Sequence, residues 1–361
     1  MKLLLKGGTV VSAAGSKIAD LLIEDEKIVR VGQDLTDAEA KVVPMEGKLL
    51  FPGFIDAHTH FDLDVCNTTT ADNFDTGTRS ALRGGTPMVA DFACPNKGES
   101  LQYGLDLWHK KADGRSSCDY SFHMTIDDWN ETIKSEIPKM FEQGVSSFKM
   151  YMTYPAMMIG DKDLFYALEE LKKYGGIAGV HCENAGVIDA LIEQHKAAGD
   201  VGPSAHPRCR PNPLEAEAVA HLLRICEVAD TPVVIVHLST KEALAEVMAA
   251  RARGQKVYVE TCPHYLTLDG SGYYEADFRK AAGYICAPPL RTKDDQNALW
   301  KGLYNGAIQT VSTDHCSFTL EQKEAGRGDF TKIPGGLPGV ETRGVLLYTF
   351  GVAAGKITKE K

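Results

Sequence analysis

The sequence has no Cys-x-x-Cys pair, no apolar run as long as a membrane span and no excess of positive charge. Each gap removes a class of function. Nine cysteines are scattered at positions 66, 94, 118, 182, 209, 226, 262, 286 and 316. An odd, dispersed set does not make a disulfide framework, and without a close Cys pair a thiolate zinc site is not expected. Reduced thiols in a cytoplasmic protein are the reading. A formal net charge of −10 argues against a nucleic-acid partner, whose phosphates it would repel. Without about twenty consecutive apolar residues there is no membrane-spanning helix. The opening stretch MKLLLKGGTVV is too short for a signal sequence and lacks a cleavage site, so it reads as a strand and turn. There is no internal repeat, low-complexity tract or flexible linker.

What remains is an ordinary globular balance. The 361 residues, 43% hydrophobic and 24% charged, allow one large α/β barrel or two medium domains. The first fifty residues read as short strands, Leu3–Leu5, Thr9–Val11, Asp20–Glu24, Lys27–Val31 and Lys48–Phe51, with turn residues such as Gly7-Gly8 between them. From Phe51 onward apolar strands alternate with amphipathic stretches. Eight strands are expected: Leu50–Asp56, Met88–Ala93, Ser121–Ile126, Ser146–Lys149, Ile177–His181, Val233–His237, Val257–Thr261 and Thr310–Asp314. Helical patterns lie between them, for example Asp161–Tyr174, Leu214–Val228, Lys241–Arg253 and Lys293–Tyr304. Eight strands with intervening helices fit a TIM-type (β/α)8 barrel better than an open sheet. The long irregular segment Pro263–Arg291 is expected to form a loop over the barrel mouth.

The densest chemistry is in FPGFIDAHTH, Phe51–His60. Alternation along a strand points Asp56, His58 and His60 the same way, and two neutral imidazoles side by side make a metal site. In such a barrel functional side chains gather at the C-terminal ends of the strands. His58 and His60 end the first strand, Lys149 the fourth, His181 the fifth, His237 the sixth and Asp314 the eighth. Singly, each has an ordinary explanation: a core histidine, a solvent-seeking lysine, a helix cap. Six such coincidences on one rim are less economical than one shared metal site. Lys149 is the odd member, because an ammonium has no lone pair. Burial among cations lowers a lysine pKa, and a neutral amine adds carbon dioxide to give a two-oxygen carbamate.

The stretches FPGFIDAHTHFDLD, SSFKMYMTY, GVHCEN, VHLST, VETCPHYL, ICAPPLR, STDHCSF and IPGGLPGVE together resemble, in order, the motifs of the cyclic amidohydrolases. The chain is similar to the dihydropyrimidinase/D-hydantoinase branch of the amidohydrolase superfamily from its first strands to about Gly351. That resemblance implies two divalent metals, usually zinc. His58 and His60 would hold the more buried one, His181 and His237 the more exposed one. Carboxylated Lys149 would bridge them, and Asp314 would ligate the buried metal while handling protons. It further implies that Tyr154 stabilises the carbonyl oxygen and that main-chain groups at Ala287 and Gly335 hold the ring, although many relatives carry Ser and Asn at those two positions. The expected reaction is hydrolysis of a cyclic amide by a water activated between the metals.

Dihydroorotase-like relatives place an arginine where this chain has Asp62, whose charge is expected to repel a carboxylate substrate. A neutral ring is therefore expected, a 5-substituted hydantoin or a dihydropyrimidine, giving an N-carbamoyl amino acid. Leu63, Val65, Phe92 and Cys94 are expected to shape the pocket for its substituent. The rivals are an allantoinase-like ureide hydrolase and a non-catalytic scaffold related to dihydropyrimidinase. The intact set of six ligands argues against the scaffold. Residues 1–50 are expected to form part of a small β-sandwich and residues 51–361 the barrel, with the family's closing sandwich segment absent and apolar strand surface exposed in consequence. A shortened version of a longer enzyme, and a homotetramer, are the further expectations from the resemblance.

Overall fold

A computed structural model describes residues 1–361. Strand β1 (Lys2–Ser12) pairs antiparallel with β2 (Gly15–Glu24), which pairs antiparallel with β3 (Lys27–Gly32). Strands β4 (Lys41–Pro44) and β5 (Leu49–Leu50) run parallel to β1 and complete a five-stranded sheet. The two strands expected at Leu3–Leu5 and Thr9–Val11 are one strand. Gly7-Gly8 makes a bulge rather than a turn: the register shifts between Leu5 and Gly8, and Gly7 takes φ +76°. The small N-terminal unit is one sheet deep. Ile18, Ile28 and Val42 are each more than half exposed.

The barrel begins at β6 (Ile55–Thr59), not at Leu50. Pro52 has no N–H to donate, and Gly53 abuts the Pro87 ring so closely that a Cβ there would stand 2.4 Å from it, so Phe51–Phe54 crosses without pairing. A small hairpin, β7 (Asp64–Val65) and β8 (Thr68–Thr69), follows. Then come β9 (Met88–Ala93), β10 (Asp119–Thr125), β11 (Ser147–Tyr151), β12 (Ile177–His181), β13 (Val233–Ile235), β14 (Val257–Thr261) and β15 (Thr310–Val311). The eight barrel strands are parallel and neighbour one another in chain order. His60 N–H donates to His315 O at 2.8 Å and His315 N–H to His58 O at 3.3 Å, joining the last strand's extension to the first and closing the cylinder. This is the expected TIM-type barrel.

Alternation along β11 shows how the strands serve two layers. Phe148 packs against Phe141 of the helix Glu131–Glu142, with ring centroids 5.8 Å apart, while Lys149 turns to the opposite face. The expected helices run Asp161–Lys173, Asn212–Ala229, Lys241–Ala252 and Lys293–Asn305. The last is started by a capping box between Thr292 and Asp295. The segment after β14 is less irregular than expected. Pro263 opens a helix to Thr267, and Asp269 and Asp277 cap two further short helical turns, Gly270–Tyr274 and Phe278–Gly283. No helix is long and apolar enough to cross a membrane.

Candidate metal centre and active site

The structure brings His58, His60 and Asp314 to one point at the C-terminal rim. Asp314 Oδ1 lies 3.1 Å from Nε2 of each histidine, and one ligand atom from each residue falls within 4.8 Å of the others. His237 packs its ring 5.6 Å from that of His58, and His181 packs 4.5 Å from His237. Lys149 is fully buried, with Nζ 5.0 Å from the Phe92 and Tyr151 ring centres, and its charge lowers the proton affinity of all four imidazoles. The sixth and eighth barrel strands stop at Ile235 and Val311, short of the expected His237 and Asp314, and both residues follow in strained backbone: His237 has φ +38° and Asp314 φ +49°. Positive φ at non-glycine residues costs about 1–3 kcal/mol each and gathers where geometry matters more than stability.

Burial sets the protonation of the cluster. It pushes the Lys149 ammonium down to about 8 and His60 down to about 4. At His58 burial acts the same way, but the Glu260 and Asp314 carboxylates outweigh it and hold the imidazole at about 9. At Asp314 burial opposes the charge, yet His58 and His60 keep the carboxyl well below the usual range. At neutral pH the Asp314 anion therefore sits beside a cationic His58 and a Lys149 whose ammonium is weakened by burial. His58 Nε2, His60 Nδ1 and His237 Nδ1 are buried without hydrogen-bond partners. Buried ring nitrogens without partners are costly, and a metal cation, displacing the His58 proton, is the natural way to satisfy several at once.

Three supporting residues escaped the sequence reading. Glu260, at the end of β14, takes a 2.6 Å contact from His58 Nδ1 and so leaves Nε2 free to face the cluster. Glu183 contacts His181 Nε2 at 2.7 Å and is held by Arg210 Nη1 at 2.6 Å, which leaves His181 Nδ1 as its free nitrogen. The signal for both was position alone, a carboxylate at or just past a barrel-strand end. Asp56 is the converse. It is fully buried but accepts from Thr313 N–H at 3.0 Å and the Thr313 hydroxyl at 2.6 Å, and it is no part of the cluster.

The expected substrate-side residues lie as follows. Tyr154 takes φ +69°, sets its ring 5.1 Å from that of His181 and lies 5.5 Å from the Arg210 guanidinium. Burial keeps its phenol protonated. Ala287 and Gly335 are half-exposed positions inside the otherwise buried runs 285–290 and 333–337, and a Cβ on Gly335 would stand 3.9 Å from Cys286 Cα.

Two expectations about the pocket need correcting. Asp62 does not face the cluster: its carboxylate accepts from Phe74 N–H at 3.1 Å and lies 3.6 Å from Arg115, so its charge is spent on a helix start and an ion pair. The expected repulsion of a carboxylate substrate by Asp62 therefore does not arise. Phe92 does not line a substituent pocket either. Its ring packs against those of His58 and His60 at 4.5 and 5.1 Å, beneath the histidine cluster. Cys94 is engaged with the Phe92 carbonyl and the Thr125 hydroxyl. Leu63 is buried, Val65 is half-buried, and Cys66 beside them is exposed.

Residues 49–336 match the model of the Amidohydrolase family. The chain is 43% identical to a D-hydantoinase of Streptomyces coelicolor over 95% of its own length and 75% of that protein's. It is 42% identical to a D-hydantoinase of Geobacillus stearothermophilus over 99% of its length and 76% of the relative's. The crystal structure of dihydropyrimidinase from Brevibacillus agri superposes with a TM-score of 0.98 at 42% identity, covering 100% of this chain and 78% of that one. Motif order, barrel geometry and these likenesses agree, and the chain belongs to the amidohydrolase family, in its dihydropyrimidinase/D-hydantoinase branch.

Proposed function

We propose that this chain hydrolyses the cyclic amide bond of a neutral ring, a 5-substituted hydantoin or a dihydropyrimidine, at a centre of two divalent cations, with zinc as the expected metal. The observation that carries the reading is the convergence of four histidines, a buried lysine and Asp314 on one rim, several of their nitrogens lacking any partner. His58, His60 and Asp314 would hold one cation, and His181 and His237 the other. Lys149, whose burial favours the neutral amine, would add carbon dioxide, release a proton and bridge both as a carbamate.

Bound divalent cations supply Lewis acidity toward the ring carbonyl and toward water. The protein's own residues do the rest. Asp314, held as an anion, takes the proton of the attacking water and returns it to the leaving ring nitrogen. The Tyr154 hydroxyl donates to the carbonyl oxygen as it gains charge. The main chain at Ala287 and Gly335 holds the ring. Water adds across one C–N bond, and the product is an N-carbamoyl amino acid. All of these residues lie in 51–361, so the division into a sheet unit, 1–50, and a barrel unit belongs to the same reading. Nine free cysteines fit a reducing, cytoplasmic setting. A homotetramer follows from the resemblance alone.

The test is metal content per subunit of protein purified without chelator, together with carbon-13 NMR after labelled bicarbonate. Two metals, a carbamate signal and ring opening of hydantoins or dihydropyrimidines support the proposal. Folded protein with neither metal nor carbamate, and inert to both rings, defeats it.

A further inference from the structure

The two ring-facing segments come from distant parts of the sequence and are joined by one backbone hydrogen bond, Gly336 N–H to Ile285 O at 3.0 Å. One bond leaves two loops free to hinge about it. The remaining tie is Lys323, on the short helix Leu320–Glu324 that follows Asp314. Lys323 is 3% exposed, and its ammonium donates to Ile285 O at 3.1 Å, Pro334 O at 2.9 Å and Gly336 O at 3.1 Å. An ammonium has three N–H donors and no acceptor, so these carbonyls saturate it. One lies two residues before Ala287 and the other two flank Gly335.

No carboxylate pairs with Lys323, and burial pushes its ammonium down to about 8. A buried charge without a counter-ion is costly, and an apolar side chain of equal length would fill the space without that cost. The arrangement makes sense as geometry: three directed bonds fix two loops at one separation. The neighbouring contacts stiffen the same place. His206 Nε2 lies 2.8 Å from Cys286 O, and the Tyr265 hydroxyl donates to Pro288 O at 2.6 Å.

We propose that Lys323 is a positioning residue that sets the separation of the Ala287 and Gly335 main-chain segments, and through it the ring size the pocket accepts. This rests on the reading of Ala287 and Gly335 as ring contacts. A five-membered hydantoin and a six-membered dihydropyrimidine present their polar atoms at different spans. A clamp of fixed width separates them, and a loose clamp does not.

The experiment compares wild type with Lys323→Met and Lys323→Arg in the full, metal-loaded chain, on unsubstituted hydantoin and on dihydrouracil. For Lys323→Met the expected result is unchanged metal content, KM for the preferred ring raised about tenfold or more, and kcat within about threefold. The preference in kcat/KM between the two rings should shrink by at least about fivefold. Lys323→Arg is the milder variant. Its planar fork meets only part of the three-carbonyl site, so the preference shifts in the same direction by less, and it carries the comparison if the Met variant does not fold.

KM and ring preference within about twofold of wild type in both variants would overturn the proposal. So would an equal loss of kcat on both rings at unchanged KM, the mark of a merely structural role. Amide exchange of wild type over 284–288 and 333–337, with and without N-carbamoyl product, separates the underlying reading. Lack of protection in active wild type removes the clamp and the proposal with it. Protection with unmoved KM and preference removes only the role of Lys323.

Discussion

Replacing Glu260 by Gln changes one charge beside one metal-facing histidine, and the outcome depends on two opposed effects of similar size. Glu260 Oε1 lies 2.6 Å from His58 Nδ1, and both groups are buried. In the metal-free protein burial lowers His58, but Glu260 and Asp314 outweigh it and hold the imidazole at about 9. A cation taking His58 Nε2 at pH 7 must then displace a proton held about two units too tightly. That competition is about 2.7 kcal/mol, roughly a hundredfold in Kd, and it falls to about twofold at pH 9. In Glu260→Gln the amide oxygen still accepts from Nδ1, so the ring keeps its orientation while the strongest upward influence on His58 is gone. With His58 near the ordinary value of about 6.5, proton competition at pH 7 is slight. Against that relief stands the lost carboxylate behind the ligand, about 10–100-fold in affinity.

The expected outcome is a variant within about tenfold of wild type at pH 7 but about 5–50-fold weaker at pH 9. The assay is zinc competition against a chromophoric chelator at the two pH values. A wild-type-to-variant ratio that stays constant between them would refute the reasoning, because His58 would then carry no competing proton or bind no metal. Metal-free stability gives a second check. His58 is raised in the folded state, so its contribution is complete below about 6.5 and lost as pH rises through about 9, about 3 kcal/mol in all. Wild type should lose that stability relative to Glu260→Gln over this window in urea unfolding.

Lys149→Ala should lower metal content and cut kcat to roughly a thousandth or less, and added acetate or propionate should restore part of it by supplying the missing carboxylate. Activity near wild type would exclude a bridging role. Tyr154→Phe should reduce kcat about 10²–10³-fold with KM little changed, the pattern of a donor used only as charge develops on oxygen. Gly336→Ala should destabilise the fold by about 2–4 kcal/mol in urea, since its φ is +156° and the new Cβ would stand 2.2 Å from Cys316 O.

The convergence of the candidate ligands was legible because each histidine ends a short apolar run, and a strand places its end on a predictable rim. Lys149 was legible for the same reason, as a charge inside SSFKM. Glu260 was not, although it lies inside the expected seventh strand, Val257–Thr261. Its importance comes from facing His58 across the barrel interior, a relation between strands that are not neighbours. Lys323 escaped for a similar reason, since its three partners lie in two loops whose adjacency no local pattern encodes. At the N-terminus Gly7-Gly8 misled because a glycine pair marks a bulge as readily as a turn, and only the pairing with β2 decides. Asp62 misled because its charge was read without the Phe74 N–H and Arg115 that use it.

The seam of the barrel has a consequence for the order of events as the chain matures. The two bonds that close the cylinder run through His58, His60 and His315, so the seam and the His58–His60–Asp314 cluster are the same place. During synthesis the two histidines emerge some 250 residues ahead of Asp314, and no earlier intermediate can offer the complete set. A cation taken up there would bolt the first strand to the last, and it would stay only on chains whose cylinder has shut. Metal retention would thus report finished folding, and chains that close badly would be marked by an empty centre before any substrate reached them.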